Sequence, residues 1–169
     1  GAAGYAAAMQ ELMAQYQSQN LVVPNWIVFA SSSGGTQAGL VAGARLFNYP
    51  GQILGISVDE NASVLQARVA GLASQTTDLL GKALTFAPEE ILVNDSYLGG
   101  GYGVPGIPER EAISLFARQE GLLLDHVYTG RAAAGLIDLV RKGFFKADEH
   151  VLFWHTGGAP ALFADRYQP

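Results

Sequence analysis

The sequence contains no cysteine. This excludes disulfides, thiolate metal sites and cysteine nucleophiles, and it accords with a cytoplasmic location. Charge is scarce: 15% of the 169 residues are Asp, Glu, Lys or Arg, against a usual share of about 25%. At this length, so little charge suits one compact α/β unit with much of its chain buried, and it also suits apolar surface that awaits a cover. The 10 basic residues form no run and are outnumbered by 15 acidic ones, for a net charge of −5. That balance argues against nucleic acid and anionic membrane as partners. No apolar stretch approaches the roughly 18 to 20 residues of a membrane span, and no signal peptide is visible. His126, His150 and His155 have no metal-ligand spacing and no carboxylate pair stands out, so no metal site is expected. Glu89 and Glu90 read as the lead-in to a strand.

What is present alternates. The periodicity predicts helices over 1–19, 36–47, 61–80, 108–120 and 130–142. A continuous apolar run predicts a strand buried on both faces at 26–30, and further strands are read at 52–58 and 90–94, with a short one at 122–124 and a last one at 150–155. Asn20 is a stop signal for the first helix. Strands separated by helices of this length imply right-handed crossovers and a mostly parallel sheet between two helical layers. No repeat, low-complexity tract or interdomain linker interrupts residues 1–169, which read as a single domain. The chain starts at Gly1 and already looks like the inside of a fold there, so it is expected to be cut from a longer protein.

In parallel sheets ligands bind beyond the carboxyl ends of the strands, which directs attention to four loops. Residues 31–36, S-S-S-G-G-T, lie between a buried strand and a helix. Glycines there let backbone N–H groups turn inward, the helix adds its unpaired N–H groups and positive dipole end, and Ser33 and Thr36 add hydroxyls. A phosphate cradle and a tight glycine turn with a serine cap are both open at this point. No lysine follows the glycines, so this is not a nucleotide P-loop, and G-x-G-x-x-G is absent from this loop. Residues 99–105, G-G-G-Y-G-V-P, hold Tyr102 in a glycine-rich loop, as an acid–base group or as an anchoring aromatic. Tyr128 and Thr129 face a ligand, or Thr129 caps the next helix. Thr156 stands after the last strand, either as a partner for a ring nitrogen or as part of a turn.

Together these stretches are not generic. A-S-S-S-G-G-T-Q-A-G-L at 30–40 resembles the phosphate loop of the D-cysteine desulfhydrase and aminocyclopropane-carboxylate deaminase family. The same family is resembled at 99–105, at L-L-L-D-H-V-Y-T-G-R (122–131), at A-G-L-I-D-L-V-R-K-G (134–143) and at L-F-W-H-T-G-G-A-P-A-L-F-A (152–164). The opening G-A-A-G-Y is similar as well, so the resemblance covers the whole chain in order.

The resemblance implies the large domain of a tryptophan-synthase β-like protein of PLP fold type II, a three-layer αβα unit that holds pyridoxal 5′-phosphate against a smaller domain. It implies that Ser33, Gly34, Gly35 and Thr36 cradle the phosphate. Tyr102 and Tyr128 would stand near substrate and ring, and Thr156 would meet the pyridine nitrogen with Thr129 beside it. The deaminase branch is similar but carries Glu in place of Thr129 and Leu in place of Thr156. A neutral threonine leaves the ring nitrogen unprotonated, which suffices for β-elimination. The resemblance therefore favours a desulfhydrase, converting D-cysteine to pyruvate, ammonia and sulfide. The deaminase and a cysteate sulfo-lyase are the alternatives.

The family's cofactor-anchoring lysine lies in an amino-terminal part that this chain does not match. Lys82, Lys142 and Lys146 are the only lysines, and none falls in a family motif. The chain alone is therefore expected to be inactive, and to associate with itself as a homodimer or with the missing amino-terminal segment. A small amino acid is the expected substrate. A reading from another class is a non-catalytic remnant that binds a phosphate-bearing molecule at 33–36. A Rossmann-type oxidoreductase is disfavoured, because its fingerprint does not follow the first strand.

Overall fold

The computed structural model describes residues 1–164. Helix α1 spans Ala2–Ser18, β1 Trp26–Ser31, α2 Gly35–Leu46, β2 Gln52–Ser57, α3 Ala62–Leu79, β3 Leu92–Asn94, α4 Ile107–Glu120, α5 Thr129–Arg141 and β4 Val151–Phe153. The four strands form one parallel sheet in the order β3-β2-β1-β4. Strand β1 pairs with β2 from Trp26 opposite Gln52 to Ser31 opposite Ser57, and with β4 from Trp26 opposite Val151 to Val28 opposite Phe153.

Alternation along β1 sorts its side chains between two helical layers. Ile27 and Phe29 pack with Met9 of α1 and Leu40 of α2. Val28 faces the other way, with Leu54 and Ile56 of β2 and Ala132 and Leu139 of α5. Helix α3 continues the first layer, its Leu65, Val69 and Ala73 meeting Ala38 and Ala42 of α2. Helix α4 completes the second, its Ala112 packing with Ala133 and Ala134 of α5. Connections leaving β1 toward β2 and β3 thus run over one face, and the return from β3 to β4 runs over the other. The direction reverses between β1 and β4, so the crevice at the carboxyl ends of these two strands is the topological switch point.

Alanine and glycine determine how closely α1 approaches α2. A Cβ on Gly39 would fall 2.2 Å from the Ala2 carbonyl oxygen, and one on Gly43 would fall 2.7 Å from the Met9 Cβ. Gly39→Ala is therefore expected to destabilise the protein by about 1–3 kcal/mol, the cost of an overpacked interface. Gly71, midway along α3, has nothing within 4 Å of its Cβ position. Gly71→Ala is expected to stabilise by up to about 1 kcal/mol through helix propensity alone. Urea denaturation of both variants checks the opposite signs; a neutral Gly39→Ala would refute the close approach.

Three expected elements differ. Residues 122–124 are not a strand. The segment runs from Gly121, in the left-handed region at φ 67°, to a turn at Asp125. The Leu123 carbonyl accepts from the His155 ring at 3.1 Å rather than from a strand backbone. Leu124 is buried between α4 and α5 while Leu122 and Leu123 are exposed. Strand β3 begins at Leu92 instead of residue 90, because Pro88–Glu90 forms a 3-10 turn. Its Glu90 carboxylate takes the Ala87 N–H at 2.7 Å and pairs with Arg45. Strand β4 covers 151–153 rather than 150–155.

Candidate functional site

The carboxyl edge gathers the loop after β1, the glycine loop after β3, the entry to α5 and the loop after β4. At the first, α2 starts from Gly34, whose φ of 84° lies in the left-handed region. A Cβ there would meet Val69 at 3.0 Å, so only glycine fits without strain. No side chain caps α2; its first N–H groups remain available at the crevice. The serine cap of the plain-turn alternative is thus not how this helix begins. Ser33 is exposed and Thr36 half-buried. Space around Gly35 is open, with nothing within 4 Å of its Cβ position. Ser31 Oγ is buried without a hydrogen-bond partner among the described residues.

The neighbouring Ser32 hydroxyl donates to Asp59 Oδ2 at 2.5 Å, and the Ser32 carbonyl accepts from Arg68 at 3.2 Å. Asp59 ties this loop to the tyrosines, because its carboxylate is one of the charges acting on Tyr128. The Tyr102 and Tyr128 hydroxyls are hydrogen-bonded to each other, with ring centroids 5.9 Å apart at 73°. That bond, then desolvation and the fields of Tyr102, Asp125 and Asp59, push the Tyr128 phenol up to about 12. The Tyr128 phenol therefore holds its proton at neutral pH. Since the unfolded phenol titrates near ~10, the pair stabilises the fold fully below that pH. The contribution is lost as pH rises through about 12.

Thr129 is buried, and its hydroxyl is saturated. It donates to Asp125 Oδ1 at 2.7 Å, accepts from the Asp125 N–H at 2.9 Å and lies 3.4 Å from the Gly157 carbonyl. Thr129 is not the cap of α5. Asp125 does that work, accepting from the N–H groups of Val127, Tyr128 and Thr129 at 2.7–2.8 Å. Thr156 is exposed at the carboxyl end of β4, next to a loop held by the Gly157 N–H on His155 Nδ1 at 3.0 Å.

Composition and motif left one buried group unnoticed. Arg131 is fully buried and pairs with Glu109 at 2.9 Å. Its guanidinium also donates to the carbonyls of Val58, Gly101 and Val104 at 2.8–3.0 Å. Glu109 in turn accepts the Gly106 N–H at 2.8 Å. The signal was visible: an arginine opening a run of alanines in a helix whose first seven residues are all buried. The same geometry settles a spacing ambiguity. Gly101, Gly103 and Gly106 do fall in G-x-G-x-x-G order before α4. However, two loop carbonyls are taken by Arg131, and the Glu109 carboxylate already covers the start of α4. A carboxylate there repels the pyrophosphate that such a loop would have to bind.

The lysines lie away from all of this. Lys82 follows α3, Lys142 follows α5 and Lys146 precedes β4, which places all three at the amino edge of the sheet. All are exposed, and Lys142 pairs with Asp138 at 2.6 Å. Among the described residues no group of His, Asp or Glu is arranged to hold a metal ion, and no helix is long and apolar enough to cross a membrane.

Fold and edge define a doubly wound parallel α/β protein whose topological switch point lies between β1 and β4. A family model for pyridoxal-phosphate dependent enzymes matches residues 1–157. A 1-aminocyclopropane-1-carboxylate deaminase from Methylobacterium nodulans is 37% identical over 162 residues, which are 96% of this chain and 48% of that protein. The crystal structure of an ACC deaminase homologue matches with a TM-score of 0.80 at 36% identity, over 96% of this chain and 47% of the other. The chain belongs to the pyridoxal-phosphate-dependent enzyme family, with the α/β architecture of fold type II. It spans about half the length of the relatives it matches. The family's cofactor is pyridoxal 5′-phosphate, and the cradle suits its phosphate. The uncapped α2 terminus, the open space at Gly35 and the unpartnered Ser31 hydroxyl are the features a phosphate requires.

Proposed function

We propose that this chain is the phosphate- and ring-facing part of a lyase that performs α,β-elimination on D-cysteine or a related β-substituted amino acid. The observation that carries this is the chemistry at the carboxyl edge. The groups placed there by family motif are neutral hydroxyls, Thr129 and Thr156, and the one free to reach a ligand is Thr156. Ser33, Gly34, Gly35 and Thr36 would hold the phosphate, and Thr156 would accept or donate at the ring nitrogen without forcing a charge on it. When bound, the cofactor supplies an electron sink for the bond that breaks. Tyr128, protonated at neutral pH and hydrogen-bonded to Tyr102, would give a proton to the departing thiolate rather than take one.

Aminocyclopropane-carboxylate deamination is the second reading, favoured by the names of the relatives at 36–37% identity. A non-catalytic phosphate binder is the third. The covalent anchor for the cofactor would come from the amino-terminal segment of the relatives, because no lysine of this chain reaches the carboxyl edge. That segment would also cover β3 and β4, each paired on one side only, and exposed apolar groups such as Ile107 at 82% and Phe163 at 76% exposure.

Adding pyridoxal 5′-phosphate and borohydride to the chain alone is expected to give no stoichiometric adduct on one specific lysine by intact mass. Co-expressed with the amino-terminal segment, it is expected to form a stable complex that takes one adduct on that segment and releases sulfide from D-cysteine. Release of a four-carbon oxo acid from aminocyclopropane-carboxylate instead would establish the deaminase. One specific adduct on Lys82, Lys142 or Lys146 would refute the division of labour.

A further inference from the structure

Tyr102 sits in a loop with little to hold it. Residues 99–101 and 103 are glycines, and the bonds the loop makes to itself include Gly101 N–H to Leu98 at 3.1 Å and Val104 N–H to Gly101 at 3.2 Å. Yet its phenol meets Tyr128, which lies on a different element, the entry to α5. Something must fix the loop against that helix.

The guanidinium of Arg131 is in the right place. It projects from the first turn of α5, three residues after Tyr128, and is fully buried. One of its nitrogens holds the carbonyls of Val58, just past β2, and Gly101, each at 3.0 Å, and another holds Val104 at 2.8 Å. Gly101 and Val104 bracket Tyr102. The third nitrogen is held by Glu109, whose other oxygen anchors Gly106 at the far end of the same loop. A planar fork can hold diverging carbonyls at once, where a point charge cannot.

We propose that Arg131, backed by Glu109, is the positioning residue of the Tyr102–Tyr128 pair, clamping the glycine loop to α5 so that the two phenols meet. That the pair serves a reaction rests on the lyase reading above; the clamp itself does not.

The test is an alkaline titration of tyrosine absorbance by rapid pH jump. The Tyr128 step, near 12, is assigned by difference from a Tyr128→Phe variant. In the double variant Arg131→Met, Glu109→Met, neither charge is left buried alone. With the far-ultraviolet dichroism unchanged, the step is expected to fall from about 12 toward the ordinary ~10, stopping short of it because burial and the Asp125 and Asp59 carboxylates still act on Tyr128. A step that stays at about 12 in the folded variant overturns the proposal. Should that variant not fold, hydrogen exchange of the unaltered protein decides. The bonded amides of Gly101 and Val104 are expected to exchange as slowly as the start of α5. Free-loop rates beside a protected α5 overturn the clamp. Neither measurement involves the cofactor, so their failure and the failure of the lyase reading are separate results.

Discussion

Replacing Glu109 with alanine is expected to destabilise the protein by about 3–5 kcal/mol, the cost of stranding a buried charge. Glu109 is 4% exposed and its partner Arg131 is not exposed at all, so water cannot replace the lost carboxylate. Three carbonyls would still solvate the guanidinium, but they carry no countercharge, and the Gly106 N–H would lose its acceptor as well. For a chain of this size the melting temperature should fall by about 10 °C. The exposed pair Arg141–Glu111, at 2.6 Å, is the control. Glu111→Ala is expected to change stability by less than about 1 kcal/mol, as surface pairs do. Equal effects from the two substitutions, read by chemical denaturation, would show that burial does not set the cost.

The contrast between these two pairs shows what a sequence reveals. Strand β1 was legible because a strand buried on both faces reads as an unbroken apolar run, W-I-V-F-A, and β2 because I-L-G-I forms the centre of a similar run. The loop at 31–36 was legible as the sharp turn from β1 into α2, because glycine between a strand and a helix marks a backbone that must turn tightly, and Gly34 does so at φ 84°. Residues 122–124 carried the same apolar signature and misled. Three leucines fit a strand locally, and only the neighbours decide whether a backbone partner exists; here the partner is the His155 side chain. Charged residues were the least legible. Glu109 and Glu111 look alike in the sequence, yet one faces Arg131 in the core and the other Arg141 on the surface. Their partners lie 22 and 30 positions away, and no local pattern encodes that distance.

Asp125→Ala is expected to cost at least about 3 kcal/mol, since each buried N–H left without an acceptor costs ~1–3 kcal/mol. The Asp125 carboxylate is fully buried and accepts four bonds, two on each oxygen: Val127 and Tyr128 N–H on Oδ2, Thr129 N–H and hydroxyl on Oδ1. It therefore satisfies the donors that open α5 and sets a negative charge at that helix's positive end. Asparagine keeps the shape but offers one accepting oxygen, so Asp125→Asn should recover about half of the loss. Thr129→Ala removes one bond of the four and also leaves the buried Asp125 N–H without its acceptor, so it should cost about 2 kcal/mol. The loop after β4 rests on the same carboxylate, with the Cβ position of Gly158 2.5 Å from Asp125 Oδ1. Losing it should therefore loosen the seat of Thr156 together with that of Tyr128. Denaturation of the three variants checks the ranking, and hydrogen exchange at 157–158 checks the coupling. Protection there that survives Asp125→Ala would mean the two sides of the crevice are held independently. A joint loss would mean that one buried carboxylate organises both the loop that carries Thr156 and the entry to α5 that carries Tyr128.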